Sequence, residues 1–360
     1  MKTGIIGLPQ VGKTSLFKIL TKVNVEDRGY TREAAIGMAK VPDERLAKLA
    51  ELYKPKKSPV YTSVEYVDVA AIGEEALKET NFLASLRNVD ALIHVLRAFD
   101  DDSIPHVGPN DPLRDIGNVE IDLIVSDLAQ IEKRLERVNK DLKKGRTAEL
   151  EKEHALLERC KEQTENERPL RELELSADEK KLIRGFMFLS QKPILYVLNI
   201  SESTTLGADL EAAVAKWGLT EVASKPGAGA TAICGKVEAE LADMPDEEAA
   251  EFLEGYGLTE SGLSRLIRKS YELLGLASFF TVGEDECRAW TIPANCRAQE
   301  AAGAIHSDLE KHFIRAETIH WDTLLAAGSE SAARSQGTLR LEGKDYRVKD
   351  GDVLQFRHSG

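Results

Sequence analysis

The sequence contains few of the residues that build disulfide frameworks, zinc sites or membrane spans. Its four cysteines, Cys160, Cys234, Cys287 and Cys296, include no Cys-x-x-Cys pair, so neither a zinc site nor a disulfide framework is indicated. No apolar run approaches the roughly 20 residues that cross a bilayer, and the first residues, MKTGIIGLPQVGKT, lack the apolar core of a signal peptide. These absences predict a cytoplasmic protein in a reducing compartment, with no membrane partner.

An excess of positive charge is also missing. The chain carries 48 Lys and Arg against 61 Asp and Glu, which gives a formal net charge of −13. A protein that coats nucleic acid through its overall charge is therefore excluded, and no DNA specificity is expected. A local basic patch that contacts RNA or a ribosome is compatible with this balance. The 360 residues exceed what one ordinary core contains, so two or three domains are predicted.

What the sequence does contain is a complete phosphate-binding loop near its start. Residues 7–14 read GLPQVGKT and match G-x-x-x-x-G-K-[ST]. A short apolar run precedes the motif and a helical pattern follows it, which is the order of strand, loop and helix that the motif requires. Glycines in such a loop let backbone N–H groups face phosphate oxygens. The motif predicts nucleotide contacts from Pro9, Gln10, Val11, Gly12, Lys13, Thr14 and Ser15.

Two of these residues have chemical roles in phosphoryl transfer. Lys13 supplies positive charge to the β- and γ-phosphates and is the predicted catalytic residue, and the Thr14 hydroxyl can ligate Mg²⁺. A carboxylate for the metal is expected at a strand end, where Asp68 ends the stretch VEYVD. Thr31, in a polar loop, is the candidate for a further Mg²⁺ hydroxyl ligand. Ala71 stands three residues after Asp68, where a phosphate-sensing switch favours glycine.

Base recognition is predicted at the end of a second buried strand, KPILYVLNISE. In GTPases the matching strand ends in N-K-x-D, whose Asp pairs with the N1 and N2 hydrogens of guanine. Here the strand ends in N-I-S-E, from Asn199 to Glu202. Asn199 can hydrogen-bond a purine N7 and amino group, but Glu202 is longer than Asp, which puts guanine selectivity in doubt. A third loop, AICGKVE, is expected to close over the base through the backbone N–H groups of Cys234 and Gly235.

These motifs resemble those of the YchF/Obg-like ATPase family, a branch of the P-loop GTPase superfamily. The matching stretches extend over nearly the whole chain: GLPQVGKTSLF, KVPDERLAKLAELYKPKK, NFLASLRNVDALIHVLRAFDDDSIPHV, DPLRDI, YVLNISE, FFTVGEDECRAWTI, AAGAIHSDLEKHFIRAETI and EGKDYRVKDGDVLQFR. The resemblance implies an α/β fold with a Ras-like P-loop nucleotide-binding domain, an inserted antiparallel helical hairpin and a C-terminal β-grasp-like TGS domain. It also implies that ATP is preferred over GTP, because of N-x-x-E, and that the protein associates with the ribosome, at its large subunit or its RNA.

The chain departs from the family pattern in the loops that sense phosphate. Gln10 replaces the family's usual Asn, at a position that can help recruit a monovalent cation in related GTPases. Switch II, which begins at Asp68, is shorter than the family's glycine-rich stretch, and Ile72 fits the apolar residue that the family carries in place of a water-orienting Gln. Switch I reads GYTREAAIG where the family pattern resembles PFCTIEPNVG, with Thr31 in register. Nucleotide binding is therefore better supported than nucleotide-dependent switching.

Three domains are predicted: a P-loop nucleotide-binding domain over residues 1–120 and 189–276, a helical coiled-coil insertion over 121–188 and a TGS domain over 277–360. The insertion is helical by period, with apolar residues three and four apart, and the sequence KKGR at residues 143–146 breaks it into two helices. Its tip is rich in basic residues, which indicates either a solvated face or a ribosome contact. These residues are Lys133, Arg134, Arg137, Lys140, Lys143, Lys144 and Arg146.

The leading hypothesis is a P-loop ATPase of slow turnover that uses Mg²⁺ and couples its ATP-bound and ADP-bound states to ribosome association. His106 is the ionisable candidate for handling the catalytic water, and its alternative role is to help pack the helical hairpin. Two other functions remain open. One is a nucleotide-binding interaction protein with little hydrolysis, which the glycine-poor switch II favours. The other is a GTPase with GTP and GDP as its physiological ligands.

Overall fold

The computed structural model describes residues 1–23, 35–69, 80–101, 103–104, 108–205 and 210–359. The strands are β1 Lys2–Ile6, β2 Ala35–Lys40, β3 Ser63–Asp68, β4 Ala91–Ala98, β5 Ile194–Ile200, β6 Ala228–Ile233, β7 Leu276–Thr281, β8 Arg288–Pro293, β9 Phe313–His320, β10 Arg340–Glu342 and β11 Asp352–His358. The helices are α1 Lys13–Thr21, α2 Glu44–Tyr53, α3 Thr80–Arg87, α4 Pro112–Lys144, α5 Ala148–Glu165, α6 Ala177–Ile183, α7 Glu202–Thr205, α8 Leu210–Lys216, α9 Leu219–Ala223, α10 Gly235–Ala242, α11 Asp246–Gly255, α12 Gly262–Leu273, α13 Ala298–Ile305, α14 Ser307–Lys311, α15 Trp321–Ala327 and α16 Glu330–Ser335.

The chain divides into two compact units. The first consists of Met1–Ala39 and Glu65–Leu273, and the second of Lys40–Val64 and Leu274–Gly360. Short 3₁₀ helices occur at Leu170–Glu172 and Arg184–Phe186, both in the first unit. Within the described ranges, no helix is both long enough and apolar enough to cross a membrane.

The first unit is built on a six-stranded sheet in the order β2-β3-β1-β4-β5-β6. β1 pairs in parallel with β3 and β4, and β5 pairs in parallel with β4 and β6. All residues of β4 and β5 are buried, as expected of parallel strands that helices cover on both faces. The sheet order changes direction at β1, and ligands of such sheets bind at the carboxyl ends of the strands beside that point. The predicted α/β class is confirmed, and the P-loop follows β1 at this edge.

The helices α4 and α5 form a hairpin in the first unit. Asp111 caps α4 by accepting the N–H of Arg114, and Pro112 occupies the first turn, a combination that starts a helix efficiently. For this reason α4 begins at Pro112, earlier than the predicted start near Ile121. The helices are separated by residues 145–147, so the break predicted at residues 143–146 is confirmed at 145 and 146, while α4 continues through Lys144. Their apolar faces pack together through Ile131, Leu135, Val138, Leu156, Leu157 and Cys160.

A buried carboxylate fixes this hairpin to the rest of the unit. Asp127 lies on α4 and is 0% exposed. It accepts hydrogen bonds from the backbone N–H of Leu189 at 2.8 Å and from the N–H and hydroxyl of Ser190, both at 2.7 Å. Residues 189 and 190 lead directly into β5, so one carboxylate connects the middle of α4 to the start of that strand.

A second polar contact joins α4 to β5. Glu120 of α4 forms an ion pair with Arg171 and accepts a hydrogen bond from the Tyr196 hydroxyl of β5 at 3.0 Å. The Arg171 side chain is 5% exposed, so water screens this ion pair weakly. Both contacts hold the hairpin to β5, which carries Asn199 near its carboxyl end.

Strand β6 forms one edge of the sheet, and helix α12 lies along it. Lys269 of α12 donates a hydrogen bond to the carbonyl oxygen of Ala230 at 2.9 Å. One turn earlier on α12, Arg265 donates to the carbonyl oxygen of Ala232 at 3.4 Å and to the hydroxyl of Thr231 at 3.3 Å. These carbonyl groups of β6 are therefore bonded to side chains of α12.

The second unit is built on a five-stranded sheet in the order β10-β9-β11-β7-β8. β7 pairs in parallel with β11, and the other pairs are antiparallel. Neighbouring residues of β7 serve two cores: Phe280 packs with residues of α2, α15 and α16, and Phe279 packs with residues of α13. The ion pair of Arg45 with Asp350, at 2.6 Å, ties the start of α2 into this unit. The assignment of residues 277–360 as a TGS domain stays a prediction.

Candidate nucleotide-binding site

The P-loop connects β1 to α1 and turns at residues with positive φ. Gly7, Gln10 and Gly12 have φ angles of 145°, 60° and 99°. A Cβ atom on Gly7 would lie 2.5 Å from the carbonyl oxygen of Val95, and one on Gly12 would lie 2.7 Å from Nδ2 of Asn199. Both positions therefore require glycine. Gly12 is followed at once by the first residue of α1, so the end of the loop coincides with a helix N-terminus, which attracts anions.

Lys13 is folded back across the loop. Its side chain is largely buried, at 8% exposure, and its Nζ donates a hydrogen bond to the carbonyl oxygen of Leu8 at 2.6 Å. Burial lowers the pKa of Lys13 to about 8, and the nearby carboxylate of Asp68 opposes that shift. The ammonium group of Lys13 therefore lies at the P-loop, and it forms no ion pair with any residue that the structure describes. Of the other predicted loop contacts, Val11 is buried and the side chains of Pro9, Gln10, Thr14 and Ser15 are exposed.

The structure brings Asp68 to the first turn of α1. Asp68 is the last residue of β3, and its carboxylate is hydrogen-bonded to the Thr14 side chain. Burial raises the pKa of Asp68, and the Thr14 hydroxyl and the Lys13 ammonium oppose this rise. A carboxylate beside a hydroxyl is the hard oxygen donor set that suits Mg²⁺. The two residues that the sequence nominated from separate elements therefore lie together.

Asn199 links two loops of the site. Its Nδ2 donates to the carbonyl oxygen of Val11 at 3.1 Å, and its Oδ1 accepts the backbone N–H of Gly235 at 3.0 Å. The N–H of Gly235, which was predicted to face the base, is thus donated to Asn199 in this structure. Cys234 is buried and precedes α10. An amide has two N–H donors, and the bond to Val11 uses one of them.

The carboxylate of Glu202 is held by two residues that sequence reasoning did not nominate. Lys236 Nζ donates to Oε2 at 2.6 Å, and the Tyr256 hydroxyl donates to Oε1 at 2.9 Å. These hydrogen bonds lower the pKa of Glu202, so the side chain is a carboxylate near neutral pH. Lys236 directly follows Gly235, in the stretch AICGKVE that was predicted to close over the base. Tyr256 lies at the end of α11, where the sequence has no signal for a contact with Glu202.

Some predicted residues lie outside the described part of the chain. Thr31, the candidate switch I ligand, falls in residues 24–34. Ala71 and Ile72 fall in residues 70–79, and His106 falls in residues 105–107. The roles assigned to these residues therefore stay predictions.

Known proteins resemble the chain along its whole length. Ribosome-binding ATPase YchF of Bacillus subtilis (strain 168) is 44% identical over 365 residues and covers 99% of both chains. Ribosome-binding ATPase YchF of Escherichia coli O157:H7 is 42% identical over 363 residues, which is 99% of this chain and 98% of that protein. The solved structure of the Schizosaccharomyces pombe YchF GTPase is 33% identical, with a TM-score of 0.85 over 99% of this chain and 97% of its own. The chain belongs to the YchF family.

Two segments of this YchF-family chain match described domain families. The family described as 50S ribosome-binding GTPase matches residues 2–144, which contain the P-loop, Asp68 and the first helix of the hairpin. The YchF GTPase C-terminal family, described as a protein of unknown function (DUF933), matches residues 276–359. The family resemblance expected from the sequence is confirmed.

One buried histidine in this YchF-family protein lies close to the site and was not nominated from the sequence. His94, on β4, is 0% exposed, and its ring centroid lies 6.0 Å from that of Tyr196. Neither ring nitrogen has a hydrogen-bond partner among the described residues. Burial, with a smaller contribution from the Lys13 ammonium, lowers the pKa of His94 to about 3. The imidazole is therefore neutral in the folded protein at any pH near neutrality.

Replacing His94 by leucine is expected to flatten the pH dependence of folding stability. The pKa of His94 rises from about 3 in the folded protein to the ordinary 6.5 on unfolding. The contribution of His94 to the free energy of unfolding is therefore fully present above pH 6.5, and it is lost as the pH falls because the unfolded chain takes up a proton. Between pH 7 and pH 5 the free energy of unfolding of the wild type should fall by about 2 kcal/mol through this histidine, and that of His94→Leu should not. Urea denaturation at both pH values measures this difference. The partly exposed His154, changed to glutamine, is the control, and equal pH dependence in wild type and His94→Leu would contradict the prediction.

Proposed function

We propose that this chain is a cytoplasmic ATPase of slow turnover that uses Mg²⁺ and associates with the ribosome. The observation that carries the proposal is the P-loop site, where a buried Lys13 lies beside Thr14 and its hydrogen-bonded carboxylate, Asp68. Relatives named Ribosome-binding ATPase YchF, alignable over 99% of this chain, support both halves of it. The proposal retains the predicted nucleotide-binding, coiled-coil and TGS domains.

The chemistry assigned to the site divides between the chain and the metal. Thr14 and Asp68 would hold Mg²⁺, with Thr31 as a further proposed ligand, and the ion would supply positive charge to the β- and γ-phosphate oxygens. Backbone N–H groups of the P-loop hold the phosphates. Lys13 exchanges the carbonyl of Leu8 for the phosphoryl oxygens, where negative charge develops during transfer. His106 stays the proposed residue for handling the attacking water.

ATP is proposed over GTP because of the way Glu202 is fixed. Lys236 and Tyr256 hold both of its carboxylate oxygens, so the side chain keeps one position at the end of the base site. A carboxylate accepts a hydrogen bond from the amino group of adenine and repels the carbonyl oxygen that guanine carries in its place. Asn199 adds its remaining N–H for the purine ring. This arrangement differs from the N-K-x-D pairing of guanine-specific proteins.

The proposed ribosome contact is the α4 basic stripe, defined as Lys133, Arg137, Lys140 and Lys144. All four side chains are exposed. Their spacing places them within about 60° of one another around the helix, along about 16 Å of its length, and opposite the face that packs on α5. Among the described residues, Lys133, Arg137 and Lys140 form no ion pair, whereas the neighbouring Arg134 is bound to Glu153 at 2.7 Å. A polyanion such as the RNA of the large subunit is the partner that fits this stripe.

The nucleotide half of the proposal is tested by titrating the purified chain with ATP, GTP and ADP in the presence of Mg²⁺. ATP is expected to bind more tightly than GTP, and single-turnover hydrolysis of ATP is expected to be slow but measurable. Tight ATP binding without hydrolysis, with or without ribosomes, would support the nucleotide-binding interaction protein, which the glycine-poor switch II favours. A preference for GTP of more than about tenfold would overturn the assignment of Glu202.

The ribosome half is tested by co-sedimentation with ribosomes at about 150 mM salt. The triple variant Lys133→Glu, Arg137→Glu, Lys140→Glu is expected to bind about tenfold more weakly or worse, because each lost phosphate contact lowers the affinity and its salt dependence. The control reverses three exposed cations elsewhere in the hairpin region: Lys180, Lys181 and Arg184. Equal loss of ribosome binding in both triple variants would show that the affinity depends on the net charge of the protein. The α4 basic stripe would then no longer be the proposed contact.

A further inference from the structure

A buried arginine lies directly beneath the P-loop. Arg97, on β4, is 3% exposed, and the sheet register places it opposite Asn199 of β5. Its guanidinium group lies over the ring of Phe99, with 4.2 Å between the guanidinium carbon and the ring centroid. Arg97 lies in the family-matching stretch NFLASLRNVDALIHVLRAFDDDSIPHV, but no phosphate-binding or catalytic pattern includes it, so it was not among the predicted site residues.

Within the described residues, the hydrogen bonds of the guanidinium group all go to backbone carbonyl oxygens. Nη1 donates to the carbonyl oxygen of Gln10 in the P-loop at 3.3 Å. Nη2 donates to the carbonyl oxygens of Asp101 and Ile104 at 3.4 Å and 3.3 Å. Nε is buried without a hydrogen-bond partner in the described residues. Hydrogen bonds from Ser103 and, to a smaller extent, the Arg97 charge lower the pKa of the Asp101 carboxylate, but Arg97 forms no ion pair with a described residue. A buried cation normally has an anionic partner because desolvation of the charge is costly.

The contact with Gln10 determines how one peptide of the loop is oriented. The C=O and N–H groups of a trans peptide point in opposite directions. Holding the Gln10 carbonyl towards Arg97 therefore turns the N–H of Val11 to the other side, towards the concave side of the loop where phosphate oxygens bind. Asn199 orients the next peptide, between Val11 and Gly12, in the same way, because its Nδ2 donates to the carbonyl oxygen of Val11 at 3.1 Å. Gln10 has a φ of 60°, a conformation that costs free energy for a residue with a side chain, so the loop benefits from an external anchor.

We propose that Arg97 is a positioning residue for nucleotide phosphates, and that these phosphates serve as the anionic partner of a buried charge that forms no ion pair within the described part of the chain. The residue acts through the Gln10–Val11 peptide and through its positive charge beneath the loop. It also bonds the carbonyls of Asp101 and Ile104, so the same side chain fixes the P-loop and the segment that follows β4. This inference rests on the proposed nucleotide binding and adds a residue that sets phosphate affinity independently of the base.

The test compares Arg97→Met and Arg97→Lys with wild type by titration of ATP, GTP and ADP. Arg97→Met is expected to bind each nucleotide about tenfold more weakly or worse, a loss of about 1.4 kcal/mol, with the ratio of ATP to GTP affinity unchanged. Arg97→Lys keeps the charge but loses the planar fork, so it should recover part of the affinity. Without nucleotide, Arg97→Met is expected to unfold at nearly the wild-type temperature, and the thermal stabilisation by ATP should be reduced.

Arg171→Met is the matched control, because it removes another buried arginine of the same unit whose partner is Glu120. This control should lower the unfolding temperature and leave the nucleotide affinities unchanged. Wild-type affinity in Arg97→Met would overturn the inference while leaving the proposed function intact. A loss of affinity that only follows a loss of stability, in both arginine variants, would overturn it as well. Absence of nucleotide binding by the wild type would instead refute the proposed function.

Discussion

Replacing Lys13 by alanine is expected to lower the rate of ATP hydrolysis by about 10²–10³-fold, the cost of removing one preorganised donor from a developing oxyanion. Lys13 is 8% exposed and bonded to the carbonyl of Leu8 at 2.6 Å. Its ammonium group therefore needs little reorganisation of water when it moves to the phosphates. The loss should appear in the single-turnover rate at saturating ATP, where weaker binding no longer matters.

Lys22→Ala is the control for this variant, since Lys22 is an exposed lysine just past the end of the same helix. It should hydrolyse ATP at the wild-type rate. A Lys13→Ala rate within about threefold of wild type would remove Lys13 from the catalytic role, because such a change corresponds to well under 1 kcal/mol of the barrier. Loss of affinity with an unchanged single-turnover rate would assign Lys13 to binding alone.

Replacing Asp127 by alanine is expected to lower the free energy of unfolding by about 3–5 kcal/mol, a large share of the stability of an ordinary domain. The carboxylate accepts three hydrogen bonds from Leu189 and Ser190. Alanine would leave two backbone N–H groups buried without partners, and each such group costs about 1–3 kcal/mol. Burial raises the pKa of Asp127 to about 6, so the comparison belongs above pH 7, where the side chain is ionised.

Urea denaturation followed by circular dichroism measures the effect of Asp127→Ala. Glu136→Ala, an exposed position on the same helix, serves as the control and should change the stability by less than about 0.5 kcal/mol. A cost below about 1 kcal/mol for Asp127→Ala would mean that water reaches the freed N–H groups. In that case the carboxylate would not be what holds α4 to the start of β5.

The parts of the site that the sequence predicts are those encoded by local patterns. The P-loop motif places Lys13 and Thr14 at the start of a helix. The apolar residues before Asp68 predict a strand that ends at this carboxylate. These features depend on backbone conformation and on the ends of parallel strands meeting at one edge. The two helices of the hairpin follow from hydrophobic period, whereas the α/β class is an implication of the family resemblance.

The parts that the sequence does not predict are contacts between residues far apart in the chain. Arg97 reaches Gln10 across 87 residues, and Tyr256 reaches Glu202 across 54. The local sequence around Arg97 or Tyr256 does not predict these contacts, because they depend on which strands and helices become neighbours in the fold. The grouping of Lys40–Val64 with Leu274–Gly360 in one compact unit likewise depends on distant partners, such as Asp350 for Arg45.

The contacts of α12 with β6 have a consequence for how copies of the chain can associate. An exposed strand edge is a template on which another strand can pair, and such pairing leads to aggregation or to sheets continuous between molecules. Lys269 and Arg265 already occupy the carbonyls of Ala230 and Ala232, and each places a cationic side chain where an incoming strand would lie. These two contacts therefore disfavour the pairing of another strand along the β6 edge.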